Sequence, residues 1–567
     1  MFITETPAHS DGASLSLPTG FEKGQVYTPS FLAAWSANLL AEYLGPQWDG
    51  CILDPACGDG ELLHAAKNHL PNAHLIGADI DAEACSSARK RLGNRSSIKT
   101  GDMLLSTFLP HAIDGRRIGA VISNPPWGAD LLHSADQLRT LGYSLATGQF
   151  DSWSLFVEMS MQALHEGGYA VFILPDAIFS PEHAPTRRLL AQHYSIKLIA
   201  RLGEGIFRGV YRGTTVLLVR KEQPKSAQRV EVFRLSKSKR DAVLSGNCSL
   251  QEIRTEERHY ISQQRFLTDK ECRWDIDVRE TEKNILDKIE VLGGGWTDLF
   301  VSGRGVELSK RGLVRICRNC DHALPAPTRP REVTCRGCGH VDNSEAMLQQ
   351  SIVQVTDTKQ AGFMPLIVGE DIGRYVLSCS RQIKMNVPGI NYKCIEAYSQ
   401  ERLLIRKTGV GLKATVTKRQ AATNQVVFHY VPKNHQHRFL LYYTLGILSS
   451  RIMFAYHLRK SGENEWRSHP YVTPKSLKEL PIPIPSPGSQ IWRQAEVIAE
   501  KVKVHLQNGG KCKALDLEIE GLIAGMYRLD HSDLRWVKEV ICSAQDLEPM
   551  RALSDFDSHA IGSEIIL

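Results

Sequence analysis

At 567 residues, with 42% hydrophobic and 23% charged residues, the chain exceeds what one hydrophobic core organises and is too apolar for disorder or a fibrous repeat, so at least two globular domains are expected. No apolar run reaches the roughly 18 residues of a membrane span and no basic N-terminal region leads into an apolar core, which argues against membrane spans and secretion and for a cytoplasmic location. The net charge of +6 is uneven: between Val301 and His340, Arg304, Lys310, Arg311, Arg315, Arg318, Arg329, Arg331 and Arg336 face only Glu307, Asp321 and Glu332, either a solvated surface or one that binds phosphate.

Met1 to Gly20 is rich in Ser, Thr, Pro and Gly and lacks periodicity, which predicts a mobile tail. From residue 21 to 221 short apolar runs alternate with amphipathic stretches. Strands are predicted at Cys51–Asp54, Leu75–Ala78, Ala120–Ser123, Ala170–Leu174, Leu198–Arg201 and Thr215–Arg220, and helices at Glu61–Leu70, Ala82–Leu92, Ser154–Leu164 and Arg187–His193. That alternation predicts a mostly parallel α/β sheet with helices on both sides. Residues 222–295 are charged and weakly patterned and end in Gly293 to Gly295, which reads as a connector. Residues 296–489 are mixed and turn-rich, with one helical period at Phe439–Tyr456, and the stiff run Pro481 to Pro487 closes them. In the remainder, 490–567, Gln490–Leu506 and Leu515–Tyr527 read as amphipathic helices parted by Gly509 and Gly510. The 13 cysteines are odd in number, and Cys51, Cys57, Cys85 and Cys542 lie singly in apolar segments, so no disulfide framework is indicated.

The first motif is Asp54-Pro-Ala-Cys-Gly-Asp-Gly60, between a strand and a helix. Ala56 and Gly58 there let the backbone pass close to a ligand, although a glycine-rich turn can also be plain strand-to-helix punctuation. The acids that follow decide between these. Asp79, ending the second strand, can accept both hydroxyls of a ribose, and Asp102, after the third, can accept from an adenine amino group. Three acids in order on successive strands point to an adenosine-bearing cofactor.

Ser123-Asn-Pro-Pro-Trp-Gly128 follows a strongly apolar strand and could be a rigid turn. Its chemistry says more. The amino nitrogen of adenine is a poor nucleophile because its lone pair is delocalised into the ring. The side-chain carbonyl of Asn124 and a main-chain carbonyl of Pro125 or Pro126 can accept both amino hydrogens and turn the nitrogen tetrahedral. Trp127 offers a face on which a base removed from a duplex can stack. A sulfonium methyl donor is already activated, so neither a metal nor a covalent intermediate is needed.

On these motifs the chain resembles the γ-class N6-adenine DNA methyltransferases of restriction–modification systems, in particular the Taq-like group. The resemblance implies a Rossmann-like class I methyltransferase sheet, S-adenosylmethionine as cofactor, duplex DNA as partner and a flipped adenine as substrate. It implies that Tyr27 and Thr28, in Gln25-Val-Tyr-Thr-Pro29, contact the methionine part. Asp54, Ala56 and Gly58 would then lie beneath the cofactor, Asp79, Ile80 and Asp102 along its ribose and adenine, and Asn124 at its edge. Phe207, in Gly203-Glu-Gly-Ile-Phe207, corresponds to the family's second aromatic at the target base, with one extra residue in the turn; an ordinary core Phe is the alternative. The resemblance continues through Arg374-Tyr375, Leu404-Ile-Arg-Lys-Thr408, Thr423-Asn-Gln425 and Leu480-Pro-Ile-Pro483, and so implies a mixed α+β target-recognition domain.

Cys317-Arg-Asn-Cys320 and Cys335-Arg-Gly-Cys338 form two knuckles at the spacing of a zinc ribbon, a closed site of four thiolates. His322 and His340 are the other possible ligands, and a redox pair the other possible role. Because the ribbon coincides with the basic cluster, zinc is expected to hold a small loop against DNA, with Arg318 and Arg336 as phosphate contacts, or else to brace the domain. The Asn-Pro-Pro-aromatic motif also occurs in protein-glutamine and RNA methyltransferases, and a relict specificity subunit is a further reading. The long chain after Lys221 and the intact Asp54, Gly58, Asp79, Asn124 and Trp127 weigh against these. No nuclease motif is evident, so any restriction activity would come from a separately encoded nuclease or defence-system subunit.

Overall fold

The computed structural model describes residues 27–544, apart from 106–107, 129–130, 149, 211, 328–330, 357, 359, 394, 410 and 462–471. The predicted tail, Gln25, Arg329 and the last residues of the C-terminal region lie outside the described residues. Contacts divide the chain into two compact units, Met1–Ile276 and Asp277–Leu567.

The first unit is built on a nine-stranded sheet of order β3-β2-β1-β4-β5-β7-β6-β8-β9. Its strands are β1 Cys51–Asp54, β2 His74–Asp79, β3 Ser96–Thr100, β4 Ile118–Ser123, β5 Leu164–Pro175, β6 Ser195–Gly203, β7 Thr214–Arg220, β8 Arg229–Arg234 and β9 His259–Ser262. β3, β2, β1, β4 and β5 run parallel, and β7 enters antiparallel between β5 and β6. Every residue of β4 is buried, which requires cover on both faces, as the uninterrupted apolar run Ile-Gly-Ala-Val-Ile predicts. Helices α1 Ser30–Leu44, α2 Glu61–His69, α3 Ala82–Leu92, α4 Phe108–Ile113, α5 Ala135–Thr140, α6 Ser152–Ala163 and α7 Ala184–His193 supply much of it. The capping of α3 is local chemistry: Asp81 Oδ1 accepts the amides of Glu83 and Ala84, and Arg89, Lys90 and Arg91 occupy the last turn. This is a Rossmann-like class I methyltransferase sheet, with its strand order reversing between β1 and β4.

Three strands carry too little apolar signal to be read from sequence. β3 is an edge strand with Ile98 as its one buried residue. β8 and β9 arise from the segment read as a connector, and they extend the sheet beyond β6. The pattern of β8 is hidden by Glu231, buried within it and matched by Arg254 of the helix Leu250–Glu257, Nε to Oε1 2.6 Å. The connector therefore divides, with 222–276 in the first unit and the rest in the second.

The second unit is mixed α+β. One four-stranded antiparallel sheet combines Phe300–Arg304, Val427–Pro432, Arg402–Arg406 and Ala414–Thr417; a second, mixed sheet combines Val353–Val355, Arg381–Lys384, Phe363–Ile367 and Ala422–Thr423. Helices Phe439–Leu448, Arg451–Ser461, Gln490–Gln507, Lys513–Met526 and His531–Ala544 share a core with the first of these sheets. The single helix predicted over Phe439–Tyr456 is two helices bent by 59°. The buried Glu520 carboxylate accepts the amides of Arg451 and Ile452 at 3.0 Å each, capping the second helix where the first one stops. Among the described residues no single helix is long and apolar enough to cross a membrane.

Candidate functional site

The carboxyl ends of β1, β2, β3, β4 and β6 share one edge of the first sheet, so the motif residues of five distant segments converge there. Asp54 is buried at the end of β1, and its Oδ1 accepts the Ala56 amide at 3.2 Å. Burial pushes its carboxyl up to about 7, against the opposing pull of that amide and of the Ser123 hydroxyl. Gly58 takes φ +50°, and an added Cβ there would meet nothing within 4 Å, so the turn opens onto free space. Its amide donates to Asp79 Oδ2 at 2.8 Å, while Asp79 Oδ1 accepts the Asp81 amide at 2.9 Å. Burial raises the Asp79 carboxyl, and these amides pull it back. Each oxygen keeps a second lone pair for a ligand hydroxyl.

Tyr27 and Ile80 are large apolar side chains left 63% and 55% exposed at this edge, in contrast to the buried strand interiors beside them. The cradle at Gly58, the acids beside it and this uncovered apolar surface fit the nucleoside and methionine parts of S-adenosylmethionine. Asp102 Oδ1 accepts the Leu104 amide at 2.9 Å, and its Oδ2 lies 2.7 Å from His133 Nε2.

The Asn-Pro-Pro-Trp turn leaves β4 beside this cradle. Asn124 Nδ2 donates to Thr28 Oγ1 at 3.2 Å, which turns the amide so that its carbonyl oxygen is the end directed away from Thr28. Two neighbours at the start of α6 hold the turn. Ser152 Oγ donates to the Pro126 carbonyl at 2.6 Å, and the Gly128 amide donates to Asp151 Oδ1 at 2.7 Å. With Pro126 so engaged, Pro125 is the proline of the pair whose carbonyl no described hydrogen bond uses. Gly128 takes φ +68°, and a Cβ there would stand 3.1 Å from the Arg212 guanidinium.

Trp127 and Phe207 meet edge to face, with centroids 5.2 Å apart and planes at 76°. Both are buried, and the Trp127 indole N–H donates to the Ile173 carbonyl at 3.4 Å. The two rings are therefore in direct contact with each other. His133, Asp151, Ser152 and Arg212 lie outside every recognisable motif, and only the fold brings them here.

The second unit gathers the four cysteines. Cys317 and Cys320 follow strand Leu313–Ile316, Cys335 and Cys338 follow Glu332–Thr334, and all four Sγ atoms lie within 4.8 Å of one another. Cys317–Cys338 and Cys320–Cys335 are 3.7 and 3.5 Å apart, against about 3.8 Å for two corners of a tetrahedron of zinc–thiolate bonds. The residues present fit a zinc ion. His322 Nδ1 lies 3.5 Å from Cys320 Sγ, beside the cluster, and His340 faces Asp342 at 4.0 Å. Arg318 and Arg336 are both exposed, and Arg318 turns back on the cysteine-bearing segment, donating to the Ala346 carbonyl and pairing with Asp342 at 3.6 Å.

Of the later motif residues, Arg374 is buried and bonded to both oxygens of Asp516 and to the Ser449 carbonyl, and Thr423 and Asn424 are buried as well. These side chains build the second unit's interior.

Residues 15–274 match the family described as N-6 DNA Methylase, and residues 364–482 match the TaqI-like C-terminal specificity domain. The type II methyltransferase M.VspI of Vibrio sp. is 28% identical over 231 residues, covering 39% of this chain and 55% of the relative. The methylase subunit of the type I restriction enzyme EcoEI of Escherichia coli is 23% identical over 222 residues, covering 35% of this chain and 43% of the relative. The chain thus spans about half the length of the curated relatives it matches. Among solved structures, a putative class I S-adenosylmethionine-dependent methyltransferase from Listeria monocytogenes is 24% identical, with TM-score 0.35, covering 42% of this chain and 73% of that one.

Proposed function

We infer, from the resemblance of both units of this chain to the Taq-like N6-adenine DNA methyltransferases of restriction–modification type, that it methylates the exocyclic amine of an adenine within a specific duplex sequence. The observation that carries this reading is the Asn124 amide, held by Thr28 at the end of β4 and next to a proline carbonyl, beside the open turn at Gly58. S-adenosylmethionine, when bound, supplies a methyl group already activated on a sulfonium. Tyr27, Thr28, Asp54, Ala56, Gly58, Asp79, Ile80 and Asp102 would hold it.

The remaining steps belong to the chain's own residues. Asn124 Oδ1 and the Pro125 carbonyl accept the two amino hydrogens, which localises the nitrogen lone pair for attack. Ser152 and Asp151 keep the turn from relaxing by holding Pro126 and Gly128. Trp127, with Phe207 packed against it, offers its ring to the flipped base and replaces stacking lost from the duplex. Resemblance of 364–482 to a specificity domain supports DNA over RNA or a protein amide as the substrate. So does the charge of 296–461, where 24 Lys and Arg stand against 11 Asp and Glu. The cysteine cluster would hold structural zinc, with Arg336 better placed than Arg318 to reach a phosphate. A defence role in the cytoplasm, with a separately encoded nuclease as partner, completes the reading.

Methylation-sensitive sequencing of DNA from cells expressing the chain tests it, with Asn124→Ala as control. One adenine-centred sequence should be methylated by the wild type. The variant should lose on the order of a hundredfold or more in rate while binding cofactor nearly as well. Methylation by Asn124→Ala within about tenfold of wild type would remove the assignment.

A further inference from the structure

Asp79 and Asp102 stand after neighbouring strands yet are held differently. Both oxygens of Asp79 are fixed by main-chain amides, those of Gly58 and Asp81. Asp102 has one such anchor, the Leu104 amide on Oδ1. Its second anchor is a side chain 31 residues further on, His133, with Nε2 2.7 Å from Oδ2. The pair is largely shielded from water, His133 being 19% and Asp102 15% exposed. His133 stands directly before Ser134, whose side chain forms a capping box with Gln137 at the start of α5. That box fixes the backbone beside the imidazole, so the ring is presented to Asp102 from an ordered position.

The loop after an edge strand offers Asp102 no described second amide. A carboxylate bonded through one oxygen can still rotate about its χ angles; a donor on the other oxygen removes that freedom and leaves each oxygen a lone pair to offer. We propose that His133 is a positioning residue for the adenine end of the cofactor: by holding Asp102 Oδ2, it aims the carboxylate at the adenine amino group. This rests on the reading of Asp102 as the acceptor of that amino group. It also ties the segment following the catalytic turn to the cofactor site, so the cradle is completed by residues from beyond the turn.

Calorimetric titration of the full chain tests this with two ligands, S-adenosylhomocysteine and S-inosylhomocysteine, in which a 6-oxo group replaces the 6-amino group. His133→Leu should weaken S-adenosylhomocysteine by about five- to tenfold, the effect of one hydrogen bond. His133→Gln, whose amide N–H can donate to Asp102, should bind within about twofold of wild type. S-inosylhomocysteine should bind wild type and His133→Leu alike, because it presents no amino group for Asp102 to accept. Equal weakening of both ligands in His133→Leu would make His133 a packing residue, and no weakening of either would remove it from the site. Asp102→Asn separates the layers. If it leaves the wild-type preference between the two ligands intact, the reading of Asp102 fails and the proposal falls with it. If it abolishes the preference while His133→Leu does nothing, the role of His133 alone is lost.

Discussion

Asp54, which in the proposed function lies beneath the cofactor, is a buried carboxyl that costs the fold stability. Its carboxyl is buried at the end of β1 and pushed up to about 7, whereas in the unfolded chain it titrates near 4. The folded state therefore holds a proton that the unfolded state releases across that range. Stability from this group is complete below about pH 4 and is lost as pH rises toward about 7. Asp54→Asn keeps the shape and the acceptor for Ala56 but has no charge to bury. In the absence of cofactor it is expected to be more stable than wild type above pH 7, by at most about 4 kcal/mol, with the gain shrinking to nothing near pH 4. Urea unfolding at a series of pH values measures this, and a gain independent of pH would show that the charge is not the cause. At the same scale, sequence was informative where a short motif has a recognisable order: the turn Asn124-Pro-Pro-Trp127 could be singled out as a candidate, with Pro125 and Pro126 left undivided. His133, Ser152 and Arg212 could not, because an isolated His, Ser or Arg carries no local signal of what it will face.

Among the elements, β8 illustrates what hydrophobic patterning misses. The strand Arg-Val-Glu-Val-Phe-Arg reads as half-polar because its central Glu231 is charged, yet Glu231 is 5% exposed and bonded by the Arg254 Nε at 2.6 Å and Nη2 at 3.1 Å. Glu42 of α1 adds a third contact, to Arg254 Nη1 at 2.7 Å. Burial alone would lower the Arg254 guanidinium, but its bonds to Glu231 and Glu42 win and hold it above its usual value. Removing one partner strands the other. Arg254→Met is expected to destabilise the first unit by about 3 to 5 kcal/mol, since it leaves Glu231 buried and uncompensated. Glu231→Gln combined with Arg254→Met should recover most of that. Denaturant midpoints of the single and double variants check it, and a double variant no better than Arg254→Met would mean that the guanidinium acts through packing and not through charge.

For the whole molecule, each unit has a core of its own, and the cysteine cluster belongs to the second. Cys335 is nearly fully buried among the four thiols, so, if the cluster holds zinc as proposed, Cys335→Ser would replace a strong ligand with a poor one. Wild-type protein is expected to carry about one zinc per chain by elemental analysis. The variant should lose it and bind specific duplex more weakly, while S-adenosylhomocysteine binds the first unit as before. Zinc-free wild-type protein would remove the ribbon, unchanged DNA binding in the variant would reduce it to a brace, and lost cofactor binding would mean that the units do not fold independently.

Sequence by itself determined the parts of this protein whose physics is local. The alternation of apolar runs with amphipathic stretches specified the central sheet from β1 to β7, apart from the edge strand β3. The turns after β1 and β4, and the paired cysteines, could be picked out by residue order and spacing, and the four thiols do come together. Tertiary structure alone decided the rest. Edge strands and strands with buried ion pairs need neighbours before their burial can be known, which hid β3, β8 and β9. The capping of Arg451–Ser461 by Glu520 needs a carboxylate 69 residues away in the chain, which is why one predicted helix is two. The orientation of Asp102 waits on an imidazole that no spacing rule could pair with it, because hydrogen bonds between distant segments are fixed by the packing of the whole unit.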